Sequence, residues 1–278
     1  ERALPPPPPW PPQGAPRRAD YVPRHERDGR SFVFTLDGML PARMWQHVLS
    51  NGSTGYIATD CGSGCMWFEN AREMRITAPP ADVNAVMGNE ALWCDTGGER
   101  ISLFAAGDSR RCRVCYAPGY ASWEKELGAR RVKTTAFIPA DTDARVFIIE
   151  GAAGLRLNWA MKPVMGAADA KAVRIEARGG AIVCSNPESY LPGAEAVAVC
   201  SLPCEASCDY APPAAVITVL ADDVTVLACG CGGEDELRAL CTPKAAFEAL
   251  DRVRGSWDAL LRRFELSSGA EAFDAYMN

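Results

Sequence analysis

One short segment of this chain, residues 62–77, concentrates side chains that bind polar ligands. Trp67 offers an aromatic face and one N–H donor, and the Asn70 amide both donates and accepts hydrogen bonds. Arg72 and Arg75 carry guanidinium groups, which pair with carboxylates and bind phosphate or sugar hydroxyls. On a helical turn, their spacing would put them on one face. These residue types predict a carbohydrate site, and a buried arginine network that pins a loop to a neighbouring domain explains them at least as well.

The overall composition limits the class of protein. With 278 residues, 48% of them hydrophobic, the chain can bury the core of one large all-β domain or two smaller ones. A net charge of −6 and the lack of a long basic run argue against a nucleic-acid partner. We find no apolar window near the roughly 20 residues of a membrane span and no secretory signal. Because the first residue is Glu1, we expect the true N-terminus to lie upstream.

The twelve cysteines suit either a disulfide set or a zinc site. However, Cys112–Cys115 is an isolated CxxC pair, and the two histidines lie far from the cysteine pairs in sequence. Cys200, Cys204 and Cys208 recur every fourth residue, but Pro203 disfavours a shared helical face. Several other cysteines fall in apolar strand patterns, where a thiol acts as a small hydrophobe. We therefore predict reduced thiols, no bound metal and a cytoplasmic location.

Hydrophobic patterning divides the chain into three parts. Residues 1–20 are rich in proline and are predicted to form a disordered lead-in. Residues 21–232 carry many short apolar runs separated by Gly, Pro, Asn and Asp, which predicts a large β-sandwich. Alternation of apolar with polar or small residues is clearest at 155–161. The other predicted strands are residues 132–138, 146–149, 173–177, 181–185, 196–200, 215–220 and 224–229, with an alternating stretch at 32–36.

The remaining part, residues 233–278, is predicted to be a helical linker. Thr242 suits a helix N-cap, and Pro243 suits the first helical position. Apolar residues then recur at steps of three and four, which predicts a helix of roughly six turns with one apolar face. That face comprises Phe247, Leu250, Val253, Trp257, Leu260, Leu261 and Phe264. A second helical stretch follows at 270–278. Such helices must pack on the sandwich or on a following domain.

Residues 62–77 resemble a motif of the inverting β-glycoside phosphorylases of the cellobiose phosphorylase type, glycoside hydrolase family 94, formerly glycosyltransferase family 36. The family pattern is roughly G-x-G-x-S-W followed by x-x-x-A/S-R-x-x-R-x-T. The residues that fit it are Gly62, Gly64, Trp67, Ala71, Arg72, Arg75 and Thr77. The form at 69–75 is most similar to that of cyclic β-1,2-glucan synthases and 1,2-β-oligoglucan phosphorylases.

Other stretches resemble family motifs in the same order along the chain, so the resemblance covers about residues 20–278. These stretches are 51–56, 88–99, 119–120 with 134–143, and the helical segments 257–261 and 273–278. Two positions depart from the pattern. Met66 replaces a serine before the tryptophan, and Tyr116-Ala117-Pro118 replaces a His-Gly pair. These departures imply a shifted specificity or a degenerate family member.

The resemblance implies a mainly β fold, in which a large antiparallel β-sandwich (a supersandwich, galactose mutarotase-like) is followed by linker helices to an (α/α)6 barrel. It also implies phosphorolysis, in which inorganic phosphate is a co-substrate that attacks a β-linked oligosaccharide while a carboxylic acid protonates the glycosidic oxygen. That acid belongs to the barrel, so no residue before Asn278 is assigned a catalytic role. No other cofactor is expected. Trp67, Asn70, Arg72 and Arg75 are the candidate substrate-binding residues, and a homodimer is usual in such families.

Two further hypotheses remain open. The chain could be a stand-alone carbohydrate-binding β-sandwich without catalysis, or a structural or interaction domain of unrelated origin. A following barrel of several hundred residues would favour the phosphorylase hypothesis over both.

Overall fold

A computed structural model describes residues 17–18, 24–26, 30–37, 40–41, 44–62, 64–79, 90–105, 109–167, 172–210, 213–263 and 267–277. The predicted lead-in at residues 1–20 lies outside the described residues, except for 17–18. The early strands are β1 (Arg17–Arg18), β2 (Arg24–His25), β3 (Phe32–Asp37), β4 (Leu40–Pro41), β5 (Gln46–Ser50), β6 (Thr54–Thr59), β7 (Met66–Phe68), β8 (Arg75–Thr77), β9 (Glu90–Thr96), β10 (Glu99–Ser102) and β11 (Arg111–Ala117).

The later part of the chain continues with strands and ends in helices. These strands are β12 (Tyr120–Leu127), β13 (Arg130–Phe137), β14 (Ala144–Glu150), β15 (Arg156–Met161), β16 (Pro163–Gly166), β17 (Arg174–Arg178), β18 (Ala181–Ser185), β19 (Glu195–Cys200), β20 (Cys204–Tyr210), β21 (Pro213–Leu220) and β22 (Val224–Gly230). The helices are α1 (Glu234–Leu240), α2 (Pro243–Leu261) and α3 (Glu271–Met277). The predicted fold class, a large antiparallel sandwich followed by helices, is confirmed.

Three sheets build the sandwich within the described residues. The largest has ten strands in the order β17-β18-β19-β22-β14-β13-β12-β11-β3-β2. Two five-stranded sheets, β10-β9-β15-β21-β20 and β16-β8-β7-β6-β5, contribute buried side chains to one core with it. All strand pairs in these three sheets are antiparallel; the short pair β1–β4 is parallel.

Both faces of the ten-stranded sheet are buried, as β14 illustrates. Phe147 and Ile149 belong to the core shared by the three sheets. Val146 and Ile148 instead belong to a second core with α1 and α2. This division follows from the period of two in a strand, which sends neighbouring side chains to opposite faces. The nearly continuous apolar run of β14 is therefore that of a strand covered on both sides.

The helix α2 begins as its sequence predicts and packs by its first half. Thr242 caps it, with Oγ1 accepting the Ala245 N–H at 3.3 Å, and Pro243 is its first residue. Its buried residues are Ala246, Ala249, Leu250 and Val253. The predicted apolar face is wrong beyond Val253, because Trp257 is 37% exposed and Leu260 is 47% exposed. Trp257 approaches the chain at Gly119 in the β11–β12 turn and leaves part of its ring exposed. Phe264 lies outside the described residues.

A buried ion pair lies where the three sheets meet. Arg145 of β14 donates two hydrogen bonds to the Glu90 carboxylate of β9, and neither side chain is exposed. The Trp159 indole N–H of β15 also donates to Glu90, at 2.8 Å. The guanidinium carbon lies 4.5 Å from the Tyr56 ring centroid and 4.3 Å from that of Phe147. Charge, hydrogen bonds and aromatic faces thus replace much of the water that Arg145 loses on folding, although its buried Nε has no hydrogen-bond partner.

Replacing Glu90 with glutamine tests this pair. The substitution preserves the side-chain shape but leaves the Arg145 charge buried without a carboxylate, so we expect the free energy of unfolding to fall by about 3–5 kcal/mol. Urea unfolding followed by circular dichroism measures the change. The matched control is Glu205→Gln, which breaks an exposed ion pair with Arg156 and should leave the unfolding midpoint unchanged. Equal midpoints for the two variants would contradict the role given to Arg145.

Candidate functional site

The segment that carries the candidate residues forms a tight turn between β7 and β8. Asn70 organises this turn, because its Oδ1 accepts the backbone N–H of Arg72 at 2.9 Å and of Glu73 at 3.0 Å. Its carbonyl accepts the Met74 N–H at 2.9 Å. An asparagine side chain that bonds to the next residues in this way closes a turn without help from a neighbouring strand. Asn70 therefore holds the backbone from which Arg72 projects.

The turn is entered through a left-handed residue, Glu69, with φ +56°. Such a conformation is uncommon for any residue other than glycine and costs of order 1–3 kcal/mol. The Glu69 N–H donates to the Ser53 carbonyl at 2.6 Å. This bond ties the turn to the β5–β6 turn at residues 51–54 and helps to stabilise the strained backbone.

Trp67 and Arg75 lie next to each other on the outer face of the β5–β8 sheet. They are direct register partners on β7 and β8, and Gly55 is the partner of Trp67 on β6. A Cβ at residue 55 would lie 2.0 Å from the Trp67 ring, so only glycine admits the indole there. Arg75 Nε donates to the Ala71 carbonyl at 2.9 Å, which fixes its guanidinium beside the turn. The structure therefore brings Trp67, Arg75 and the turn together.

Arg72 differs from the other three candidates because its side chain does not stabilise the turn or the sheet. Its side chain is 88% exposed and pairs with the adjacent Glu73 at 3.1 Å. The alternative of a buried arginine network is therefore wrong for Arg72. The helical face predicted for Arg72 and Arg75 is also wrong, since only residues 70–74 form a turn and Arg75 already belongs to β8. The two guanidinium groups extend from different elements at one edge of the outer face.

The two departures from the family pattern place core residues at positions 66 and 116. Met66 is fully buried, and its N–H donates to Thr77 Oγ1 at 2.9 Å. It points away from the face that carries Trp67, so the missing serine hydroxyl does not bear on a sugar bound there. Tyr116 is buried beside Phe34, and its hydroxyl donates to the Trp45 carbonyl at 3.0 Å. Met66 and Tyr116 therefore serve packing, whereas Ala117 and Pro118 line a cleft beside Tyr120.

Two other family-like stretches lie next to the turn at residues 69–74 and are joined to each other by hydrogen bonds. Asn51 Nδ2 donates to the carbonyls of Pro139 at 3.0 Å and Thr142 at 3.1 Å. The hydroxyls of Ser53 and Thr54 donate to Asp143. The stretches at 51–56 and 134–143 are thus joined by hydrogen bonds, which accounts for their polar residues without a ligand.

The structure adds a second group of polar and aromatic residues that sequence reasoning did not assemble. Arg254 of α2 lies 4.6 Å from the Tyr120 ring centroid, and Arg30 pairs with Asp258 at 3.3 Å. These four residues and Trp257 line a cleft of about 170 Å³. Trp257 also lines a second, smaller cleft together with Asn51. Gly119-Tyr120 and residues 257–261 were noted as separate motifs, and only the folded chain brings them into contact.

Gly119 permits this contact between α2 and the β11–β12 turn. It has φ +83°, and a Cβ there would lie 2.4 Å from Trp257 Cδ1 and 2.5 Å from Val253 Cγ1. We expect Gly119→Ala to loosen α2, whereas Gly128→Ala, at φ +66° with no atom near its Cβ, should cost only the backbone strain of about 1–2 kcal/mol. Hydrogen exchange measures the difference: amides of residues 243–261 should exchange faster in the first variant only. Equal exchange in both would show that the close approach does not hold the helix.

Asp60 has the titration behaviour of a general acid but no access to substrate. Burial raises its pKa from 3.8 to about 6, although its carboxylate accepts the backbone N–H groups of Cys61 and Trp45. Asp60 is only 1% exposed and lies at the start of the turn that precedes β7. A proton donor must lie within hydrogen-bond reach of the bond it cleaves. Asp60 is therefore a structural residue.

The raised pKa of Asp60 makes stability depend on pH. Between about pH 4 and pH 6 the folded chain holds a proton at Asp60 that the unfolded chain has released, so this group's contribution falls as pH rises through that window. Two pKa units correspond to about 3 kcal/mol. Asp60→Asn should remove this part of the slope, measured as urea midpoints at several pH values. Parallel curves for the two proteins would show that Asp60 titrates normally.

The cysteines are distributed through the core. All twelve are free thiols, and nine of them are buried. Cys112 and Cys115 lie on β11 three residues apart, which directs them to opposite faces. Among the residues that the structure describes, no three His, Cys, Asp or Glu side chains are grouped to hold a metal ion. None of the described helices is long and apolar enough to cross a membrane.

Comparison with known proteins finds one family model that matches part of the chain. Residues 30–150 match the sequence model of glycosyl hydrolase 94, supersandwich domain. This match includes the turn at 69–74, β3 to β14 and the buried ion pair. No curated protein sequence matches the chain at a significant level.

Comparison with solved structures finds proteins of limited similarity. A protein assigned as a kojibiose phosphorylase from the human microbiome is 9% identical, with a TM-score of 0.41, over 94% of this chain and 38% of that protein. A protein assigned as an aldose 1-epimerase from Escherichia coli K12 is 12% identical, with a TM-score of 0.37, over 66% of this chain and 87% of that protein. This chain thus spans well under half the length of the phosphorylase.

Proposed function

We propose that this chain is the N-terminal, non-catalytic domain of an inverting β-glycoside phosphorylase. The observation that carries the proposal is the match of residues 30–150 to the supersandwich domain of glycosyl hydrolase 94. In the proposed parent enzyme, a following (α/α)6 barrel supplies the carboxylic acid, and inorganic phosphate attacks the anomeric carbon with inversion. The chain by itself then releases no sugar phosphate. The finer assignment, similarity to cyclic β-1,2-glucan synthases and 1,2-β-oligoglucan phosphorylases, rests on the residue pattern at 69–75.

The proposed contribution of the chain to substrate binding is the turn at 69–74 with its neighbours. Trp67 offers a flat apolar surface for a pyranose ring, and Arg72 offers donors that its own fold leaves available. Asn70 and Arg75 hold this arrangement by backbone contacts within the turn. A binding group held in place before the ligand arrives loses little conformational entropy on binding. The turn therefore suits a loop that reaches into a sugar site formed mainly by another domain.

The surface around Trp257 supports the proposed packing on a barrel. Trp257 of α2 leaves apolar area exposed beside Val48, which is 59% exposed on β5, and Leu260 of the same helix is 47% exposed. Val48 and Trp257 line one cleft together with Asn51, whose turn is bonded to the turn at 69–74. One edge of the molecule thus carries both the candidate sugar-binding residues and an apolar surface. A homodimer and a cytoplasmic location remain parts of the proposal.

Replacing Arg72 with alanine in the parent enzyme tests the proposed role. Phosphorolysis of β-1,2-linked glucose oligosaccharides is followed by release of α-glucose 1-phosphate, the product that inversion requires. We expect kcat/KM per folded molecule to fall by about tenfold or more, equivalent to about 1.4 kcal/mol of transition-state binding. The thermal midpoint should not change, because the side chain is exposed.

The matched control is Arg131→Ala, another exposed arginine, which lies on the β12–β13 hairpin. It should change neither activity nor stability. A loss of stability with unchanged turnover in Arg72→Ala would show that the residue is structural. Failure of the parent enzyme to release sugar phosphate, while the chain alone binds β-glucan in calorimetry, would favour the stand-alone carbohydrate-binding sandwich.

A further inference from the structure

The polar cleft beside α2 is lined by residues from three separate parts of the chain. Arg254, Trp257 and Asp258 are spaced by three and four positions, which puts them on one face of the helix. The other lining residues precede β3 or belong to the end of β11 and the start of β12, and they are Arg30, Ser31, Ala117, Pro118 and Tyr120. The cleft, of about 170 Å³, therefore combines charged, hydroxyl and aromatic groups only in the folded chain.

Arg254 supplies hydrogen-bond donors to this cleft. Its guanidinium carbon lies 4.6 Å from the Tyr120 ring centroid, and its Nη1 lies 3.4 Å from Asp251 Oδ1. Within the described part of the chain, its Nε and Nη2 donate to no acceptor. Two contacts thus position the guanidinium group, while most of its five N–H donors stay available to a ligand.

Asp258 supplies acceptors to the same cleft. Its Oδ1 accepts from Arg30 Nη1 at 3.3 Å, which is longer than the roughly 2.7–2.9 Å of a strong charge-assisted bond. The side chain is 55% exposed, and its Oδ2 accepts no hydrogen bond from any described residue. A ligand in the cleft therefore meets a carboxylate oxygen with lone pairs to offer.

The charges at the cleft are balanced, which favours a neutral ligand. The guanidinium groups of Arg30 and Arg254 are matched by the carboxylates of Asp258 and Asp251. A site for a free anion would instead carry an excess of positive charge. Donors and acceptors beside the partly exposed Trp257 ring suit a molecule with many hydroxyls and an apolar face. A pyranose ring has both properties.

We propose that this cleft is a second carbohydrate-binding site, which holds one glucose residue of a β-glucan. Its C–H face would pack on Trp257, while its hydroxyls accept from Arg254 and donate to Asp258. The volume is below the roughly 300–1,000 Å³ of pockets that enclose drug-sized ligands, so one ring fits and the rest of an oligosaccharide lies outside. The pyranose class rests on the cleft, and the choice of glucose rests on the proposed function.

The second site is separate from the surface proposed to pack on a barrel. That surface includes the apolar cleft lined by Val48 and Asn51, and the two clefts share only Trp257 among their lining residues. Val253 and Ser256 of α2 belong to the apolar cleft, whereas Arg254 and Asp258 belong to the polar one. Packing of another domain against the first cleft therefore leaves the residues proposed to bind the sugar hydroxyls uncovered.

Nuclear magnetic resonance tests the proposal on the chain alone. The chain is labelled with ¹⁵N-tryptophan and titrated with methyl β-D-glucopyranoside, and the Trp257 indole signal is assigned from the spectrum of Trp257→Phe. We expect a saturable shift of this signal with a Kd of about 1–10 mM, because a ligand of so few atoms gains little binding free energy. A shift confined to the Trp67 signal, or none at all, would overturn the second site. No turnover is involved, so failure of the parent enzyme in phosphorolysis is a distinct result.

Two arginines of one helix provide a matched pair of variants. Arg254→Ala should weaken binding of the glucoside by about tenfold or more, because it removes a hydrogen bond to a charged group. Arg252→Ala should leave binding unchanged, since Arg252 is exposed, pairs with Asp141 at 3.5 Å and does not line the cleft. Equal effects of the two variants would overturn the role of Arg254. Tighter binding of glucuronate or inorganic phosphate than of the glucoside, read at Trp257, would overturn the assignment of a neutral sugar.

Discussion

The sandwich depends on one enclosed guanidinium. Arg145 belongs to the ten-stranded sheet, Glu90 and Trp159 belong to one five-stranded sheet, and Tyr56 belongs to the other. All of them meet around the same charge, together with Phe147. An apolar core tolerates small shifts between sheets because dispersion contacts have little direction, but a buried charge needs its partner at one position. The ion pair therefore fixes how the three sheets are placed relative to one another.

The geometry of the candidate site depends on this placement of the three sheets around Arg145. Tyr56 contacts Arg145 from β6, and its register partner on β7 is Met66, also buried. Because side chains alternate along a strand, burying Met66 forces Trp67 onto the outer face beside Arg75. A slip of one residue in this pairing would exchange the indole with the thioether. The position of Trp67 is thus a consequence of the core.

The local parts of this structure could be predicted from the sequence, and the parts that depend on distant partners could not. The strand at 155–161 and the N-cap at Thr242 follow from patterns within a few residues. The exposure of Trp257 depends on which parts of the folded chain lie against α2, and the helical period of the sequence gives no information about them. The burial of Met66 depends on the pairing of β7 with β6. Motif comparison selected the segment at 62–77 but could not say which of its residues face solvent.

The same limit applies to the cysteines. Cys200, Cys204 and Cys208 recur at every fourth position, and Pro203 disfavours a helix for this stretch. Cys200 ends β19 in one sheet, whereas Cys204 begins β20 in another sheet. Sheet crossings are set by topology, and the spacing of residues in sequence gives little information about them.

In the turn that carries Arg72, the residues that stabilise the fold differ from the residue proposed to bind a ligand. Its backbone is set by Asn70 and Glu69, and the Arg72 side chain contributes no contact to the sandwich beyond its neighbour Glu73. Residue 72 can therefore be exchanged during evolution with little effect on the stability of the chain. A scaffold with such a position can acquire a new ligand preference by a single substitution, while the sheets that support it stay unchanged.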